Sequence, residues 1–196
     1  MSNASNRPLS LVKLAHQLVA EHVKPGDIVI DATVGNGHDT TFLLDLVLPD
    51  GHVFGFDIQQ TAIDQANRRL AAQMSNSCLT LFRADHAAMR ATIPLIYHGR
   101  IGMVMFNLGY LPGSVKHIKT QSKSTLAALA AAADLISLGG LITVVAYPGH
   151  DGGGDETRDV DQWRLGLDTG QYRTALFENH PDNPSAPKLF SVCKIG

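Results

Sequence analysis

Cysteine is scarce in this chain: Cys78 and Cys193 are the only two among 196 residues. They stand far apart and form no C-x-x-C pair, so the sequence lacks the disulfide framework of a small secreted protein. We therefore expect buried free thiols and a reducing, cytoplasmic compartment.

Long apolar runs are absent as well. No run approaches the roughly 18 to 20 residues that a membrane helix requires, and no basic segment followed by an apolar one marks a secretory signal. We therefore expect no membrane association. The opening Met1-Ser2-Asn3-Ala4 resembles a cloning remnant, so we expect a single domain over residues 5–196, a length that suits one hydrophobic core.

No charge of one sign dominates, because the formal net charge is only −2. The chain thus lacks the overall basic character of a non-specific nucleic-acid binder, although this balance permits a local basic surface. The histidines His38, His86, His117 and His150 include no pair at the spacing of metal ligands. No metal site is expected.

The chain does contain a regular alternation of apolar, strand-like runs and amphipathic segments. Such alternation predicts a mostly parallel sheet with helices on both faces. The last two strands have no helix between them and are expected to form an antiparallel pair. The predicted strands cover 27–31, 52–57, 79–84, 100–107, 141–147, 172–178 and 188–194. The predicted helices cover 9–23, 40–47, 61–73, 87–92, 124–137 and 156–167, with Thr61 as a cap and Gly139-Gly140 as a stop signal.

The segment Ile28–Thr41 has the pattern of a buried strand, a glycine turn and a helix start. Gly35 and Gly37 permit positive φ and close approach of a ligand to the backbone, and a helix N-terminus presents unpaired N–H groups. Asp57, at the end of the next strand, is placed to accept hydrogen bonds from both hydroxyls of a ribose. Its alternative role is to complement the dipole of the following helix.

Two cofactors fit such a loop, NAD and S-adenosylmethionine. A dinucleotide motif requires G-x-G-x-x-G/A, whereas Thr40 occupies the third position here. The paired C-terminal strands also fit the seven-stranded sheet of a methyltransferase better than that of a dehydrogenase. Asp85-His86, after the third strand, either contacts the base or caps a short helix. The predicted cofactor-binding residues are Asp31, Thr33, Gly35, Asn36, Gly37, His38, Asp39, Thr40, Asp57, Ile58, Gln59, Asp85, His86 and Asn107.

The segment Asn107-Leu108-Gly109-Tyr110 follows the fourth strand and resembles the N-P-P-Y element of amino-methylating enzymes. An amine that attacks a methyl sulfonium must direct its lone pair along the S–CH3 bond, and an amide oxygen can hold its N–H groups in that direction. Tyr110 can stack on a base, although an ordinary turn also favours such residues. His150 can help to deprotonate the amine or be a polar loop residue. The predicted catalytic residues are Asn107, Tyr110 and His150.

Three lysines without an intervening acid, Lys116, Lys119 and Lys123, follow this segment. A basic strip beside a nucleophile pocket suits an RNA backbone, and a solvated helix start explains the same pattern equally well. The predicted substrate or RNA contacts are these lysines together with Leu108, Gly109 and Tyr147.

Three blocks, D-A-T-V-G-N-G-H-D-T (31–40), F-N-L-G-Y-L-P-G (106–113) and Y-P-G-H (147–150), together resemble the YtqB/MnmM-type methyltransferases, also described as "putative rRNA methylases". The resemblance runs from about residue 8 to the end. It implies a Rossmann-like class I fold with a seven-stranded sheet and S-adenosylmethionine as the cofactor. It further implies methylation of the aminomethyl group of 5-aminomethyl-2-thiouridine at the tRNA wobble position, with the anticodon arm as partner.

Two other functions are compatible with the same residues. One is an rRNA or small-molecule methyltransferase on the same scaffold, and the other is a non-catalytic module that binds S-adenosylmethionine or a nucleotide. A homodimer is compatible with a chain of this size.

Overall fold

A seven-stranded sheet is the centre of the computed structural model, which describes residues 9–71, 78–109 and 120–196. Its strands lie in the order β3-β2-β1-β4-β5-β7-β6. β7 is antiparallel to both of its neighbours, and the other neighbouring pairs are parallel. The predicted sheet is therefore confirmed. The bounds are β1 Ile28–Asp31, β2 His52–Asp57, β3 Leu79–Arg83, β4 Ile101–Asn107, β5 Ile136–Ala146, β6 Tyr172–Glu178 and β7 Lys188–Lys194.

Helices cover both faces of this sheet, as predicted. One face packs against three helices through a core that includes Val19, Leu43 and Leu70. The other face packs against three more through Leu129 and Val160, among others. The bounds are α1 Leu11–His22, α2 His38–Val47, α3 Gln60–Leu70, α4 Met89–Thr92, α5 Ser122–Leu135 and α6 Gly153–Leu165, with 3-10 turns at His86–Ala88 and Leu95–Tyr97.

Glycines with positive φ start two of these helices earlier than the sequence predicted. Gly37 (φ 77°) is the N-cap of α2, and Gly152 (φ 78°) is the N-cap of α6. The prediction that Thr61 caps α3 is wrong. Gln59 is the N-cap there, because the amides of Ala62 and Ile63 both donate to its carbonyl.

The prediction that Gly139-Gly140 ends a helix is also wrong. α5 ends at Leu135, and β5 begins at Ile136. Ile136 pairs with Ile101 and Leu141 pairs with Met103, so the intervening residues form a bulge in which Gly139 has a φ of 79°. Ile136 and Leu141 are both buried, and the burial of these two side chains sets the start of the strand.

No helix in the described part of the chain has both the length and the apolar character needed to cross a membrane. Within residues 9–71, 78–109 and 120–196 there is also no group of three or more His, Cys, Asp or Glu side chains that could hold a metal ion.

Candidate active site

The carboxyl ends of β1, β2 and β4 lie side by side in the middle of the sheet. Asp31, the last residue of β1, is level with Gly55 of β2 and Met105 of β4. Open α/β sheets bind their ligands beyond these strand ends. The topology therefore brings Asp31, Asp57 and Asn107 to one edge, although they are far apart in the sequence.

Asp57 ties the glycine loop to the start of α3. One carboxylate oxygen accepts from the Gly35 amide at 2.9 Å, and the other accepts from the Gln59 amide at 2.8 Å. A carboxylate has about four acceptor positions, so two remain for a ligand's hydroxyls. Ile58 follows directly with 48% of its surface exposed, which leaves an apolar face beside this carboxylate.

Asp31 and Thr40 are fully enclosed beneath the glycine loop. One oxygen of Asp31 accepts from the Thr33 amide at 3.1 Å, and the other accepts from the Thr40 hydroxyl at 2.6 Å. Asp31 and Thr40 thus support the loop from beneath, and their predicted contact with the cofactor stays a prediction. Burial and the nearby Asp39 carboxylate raise the pKa of Asp31 to about 7.

Asn107 is fixed at both its backbone and its side chain. Its amide N–H donates to the Thr33 hydroxyl at 2.8 Å, and its side-chain Nδ2 donates to Asp39 Oδ2 at 3.2 Å. The other Asp39 oxygen lies 2.7 Å from Nε2 of His16 on α1. The His16 ring also stacks on Phe42, with ring centroids 4.0 Å apart. Sequence reasoning missed His16, and its place in an amphipathic helix gave no signal.

Three buried or half-buried carboxylates therefore surround the end of β1. Asp39 and Asp57 both raise the pKa of Asp31 through their charge. Among residues 9–71, 78–109 and 120–196, no lysine or arginine forms an ion pair with any of the three, and only His16 contacts one of them as a potential cation. Because its raised pKa lets Asp31 keep its proton up to about pH 7, Asp39 and Asp57 carry the negative potential of this site, which favours a cationic ligand.

Tyr147 and His150 lie next to Gly109, which follows Asn107 by two residues. A Cβ built on Gly109 would be 3.8 Å from Tyr147 Cδ2 and 3.9 Å from His150 Nε2. Burial, with a smaller effect of Asp39, raises the pKa of the Tyr147 hydroxyl. The structure thus brings together four of the residues that the sequence assigned to catalysis or substrate binding: Asn107, Gly109, Tyr147 and His150.

Glu156 binds Thr120, which in turn bonds to the backbone of Gly109. It is only 3% exposed, and its two oxygens accept from Thr120 Oγ1 at 2.7 Å and Thr125 Oγ1 at 2.6 Å. Thr120 in turn exchanges two 3.0 Å hydrogen bonds with the Gly109 backbone. Glu156 of α6 therefore connects this helix to α5 and, through Thr120, to the end of β4.

The predicted residues Asp85 and His86 follow the end of β3. Asp85 caps a 3-10 turn by accepting from the Ala87 amide at 2.8 Å, as in the capping alternative, and its side chain is half-exposed. His86 is buried, with Nδ1 3.2 Å from the Ala32 carbonyl oxygen, and burial lowers its pKa.

Arg69 of α3 contacts the glycine loop and the first residue of α2. Its guanidinium donates to the Asn36 carbonyl at 2.8 Å and lies 3.2 Å from His38 Nε2. Leu108 is buried, and Lys123 is exposed in the first turn of α5. The predicted residues Tyr110, Lys116 and Lys119 lie outside the described residues.

Comparison with known proteins places this geometry in context. The chain is 38% identical to a chloroplastic tRNA (mnm5s2U34)-methyltransferase of Arabidopsis thaliana, and the match covers 93% of this chain and 68% of that protein. It is 36% identical, with a TM-score of 0.90, to the crystal structure of a "putative rRNA-methylase" from Clostridium thermocellum, over 96% of this chain and 100% of the other.

A third relative was solved with a ligand. A "putative methyltransferase" from Streptococcus mutans, in complex with SAH, is 26% identical with a TM-score of 0.83, and the match covers 96% of this chain and 100% of the other. The Rossmann-like class I methyltransferase fold expected from the sequence is confirmed. The family model described as "Putative rRNA methylase" matches residues 53–193, and the chain belongs to this family.

Proposed function

We propose that this protein transfers a methyl group from S-adenosylmethionine to the aminomethyl group of 5-aminomethyl-2-thiouridine at the wobble position of tRNA. The observation that carries the proposal is the fixed orientation of the Asn107 amide. Its NH2 group donates to Asp39, so the amide oxygen is left to accept an N–H from an amine. The 38% identity to the Arabidopsis tRNA (mnm5s2U34)-methyltransferase supports this choice of substrate.

The carboxylates around β1 fit the proposed cofactor. S-adenosylmethionine, when bound, supplies the methyl group on a sulfonium cation. Asp39 and Asp57, whose charges raise the pKa of Asp31, give the site a negative potential, which favours that cation over the demethylated product, because the product lacks the sulfonium charge. We infer that the backbone of Gly35 and Gly37 approaches the methionine end, while Asp57 binds the ribose.

The chain's part in the reaction is mainly to position the amine. Asn107 Oδ1 accepts one amine N–H, and we infer that the adjacent Leu108 carbonyl accepts another, since the Gly109 carbonyl already accepts from the Thr120 amide. Holding two N–H groups directs the nitrogen lone pair, and such alignment accounts for a large share of the rate in bimolecular reactions. His150 and Tyr147 lie beside the same glycine, and the participation of His150 in deprotonation stays a prediction.

Three further expectations stay predictions. The lysines Lys116, Lys119 and Lys123 are proposed to contact the anticodon arm, and a cytoplasmic location and a homodimer are expected from the sequence. Light scattering coupled to size-exclusion chromatography measures the oligomeric state directly.

The test uses tRNA from cells that lack the last wobble methylation. The purified protein is incubated with this tRNA and labelled S-adenosylmethionine, and the nucleosides are analysed by mass spectrometry. We expect 5-aminomethyl-2-thiouridine to gain one methyl group, and we expect Asn107→Ala to lower the transfer rate while the cofactor still binds. Label in rRNA or in small metabolites alone would overturn the proposed substrate, and cofactor binding without any transfer would favour the binding module.

A further inference from the structure

The side-chain amide of Asn107 can take two orientations that differ by a flip about the last torsion angle. Only one of them presents the carbonyl oxygen to an incoming amine. In the structure the NH2 group faces Asp39 Oδ2 at 3.2 Å. The amide oxygen receives no hydrogen bond from the described residues, and it is not fully buried, so it is available to a ligand.

Asp39 enforces this choice because an ionised carboxylate only accepts hydrogen bonds. A flipped Asn107 would place its oxygen against the Asp39 oxygen, with two acceptors facing each other. Asp39 is nearly buried, so water has little access to relieve that repulsion, and a buried polar pair without a hydrogen bond is strongly disfavoured.

His16 fixes the position of Asp39 in turn. Its Nε2 lies 2.7 Å from Asp39 Oδ1, so each carboxylate oxygen has its own partner and the carboxylate plane cannot rotate freely. Phe42 stacks on the His16 ring with an interplanar angle of 8°. The ring is thereby held by packing, and its hydrogen bond is aimed at the carboxylate.

We propose that His16 and Asp39 are positioning residues that act in series to hold the Asn107 amide oxygen toward the amine substrate. The chain of contacts crosses from α1 through the start of α2 to the end of β4, so the N-terminal helix takes part in the acceptor site. The role toward an amine rests on the function proposed above, whereas the orientation of the amide is a property of the cofactor-free protein.

Two substitutions at His16 separate its hydrogen bond from its packing. His16→Phe keeps an aromatic ring against Phe42 but removes the N–H donor. His16→Gln keeps an N–H group at about the reach of Nε2. Loss of one such hydrogen bond corresponds to about a threefold to tenfold decrease in kcat. We expect that decrease in His16→Phe, with KM and cofactor affinity within about twofold of the wild type, and near-complete recovery in His16→Gln.

A second measurement needs no turnover. Solvent exchange of the Asn107 side-chain NH2 is followed by NMR in the cofactor-free protein, with the signal assigned by its absence from Asn107→Asp. We expect slow exchange in the wild type and in His16→Gln, and faster exchange in His16→Phe and in the nearly isosteric Asp39→Asn.

The outcomes separate the two proposals. Equal kcat and equal amide exchange in the wild type and His16→Phe would overturn the positioning role, as would a His16→Gln variant that is as impaired as His16→Phe. If the wild type methylates no tRNA, the proposed function fails, and the exchange measurement still decides whether His16 and Asp39 orient the amide.

Discussion

Replacing Asp31 by asparagine should change how stability depends on pH. Asp31 is fully enclosed and faces the carboxylates of Asp39 and Asp57, and these surroundings raise its pKa from 3.8 to about 7. The folded protein therefore keeps this proton at a pH where the unfolded chain has released it. The stability that this group contributes is fully present below about pH 4. It decreases as the pH rises toward about 7 and does not change further at higher pH.

The size of this change in stability follows from the pKa shift of Asp31. Each pH unit between the two pKa values changes the free energy of unfolding by about 1.4 kcal/mol. Between pH 5 and pH 8 the wild type should lose about 2 to 3 kcal/mol through Asp31. Asp31→Asn has no proton to release there, and its amide can still bond to the Thr33 amide or the Thr40 hydroxyl.

Urea denaturation of both proteins at pH 5 and pH 8 measures the difference. Other groups titrate as well, and the lowered pKa of His86 makes stability rise with pH. These groups are present in both proteins, so their effects largely cancel in the difference between the two. We expect the wild type to lose about 2 to 3 kcal/mol more than Asp31→Asn over this range. Parallel pH dependence in the two proteins would refute the claim that Asp31 holds a proton near neutral pH.

Three further substitutions test other parts of the site. Asp57→Ala should weaken S-adenosylmethionine binding by about 1.5–3 kcal/mol, the value of charge-assisted hydrogen bonds; unchanged affinity in calorimetry would show that Asp57 does not hold the cofactor. Gly37→Ala should lower Tm more than Gly26→Ala, because both glycines have positive φ but only at Gly37 would the new Cβ lie 3.0 Å from a backbone atom of α3; equal decreases would contradict this. Glu156→Ala should lower the free energy of unfolding in urea by about 1–3 kcal/mol, because it leaves the Thr120 hydroxyl without its acceptor. Glu156→Gln should lower it by less. An unchanged free energy of unfolding in Glu156→Ala would exclude a stabilising role for this carboxylate.

Much of the fold could be predicted because its signals are local. The bounds of β2, β6 and β7 agree with the strands predicted at 52–57, 172–178 and 188–194, since a glycine or proline stands shortly before each of them in the sequence. The missing helix before the last strand indicated the antiparallel pair. The glycine pair in β5 misled the prediction, because a glycine pair marks a bulge as readily as a helix end.

The contacts that complete the site could not be predicted in the same way. His16 and Asp39 are 23 residues apart, and Thr120 and Glu156 are 36 apart. No periodic pattern links such positions, since each pair meets only after the sheet has assembled. Asn107 and Asp57 were recognisable because strand ends share one edge, whereas side chains that act from helices have no comparable rule.

The paired backbones of Gly109 and Thr120, held by the buried Glu156, have a consequence for how this protein can change. Gly109 and Thr120, which flank the segment 110–119 in the sequence, are bonded to each other at one point of the scaffold. We therefore expect substitutions or insertions between these two residues to leave Asn107 and the glycine loop in place, as long as Gly109, Thr120 and Glu156 are kept. The scaffold around the site can thus keep its geometry while the sequence between Gly109 and Thr120 changes.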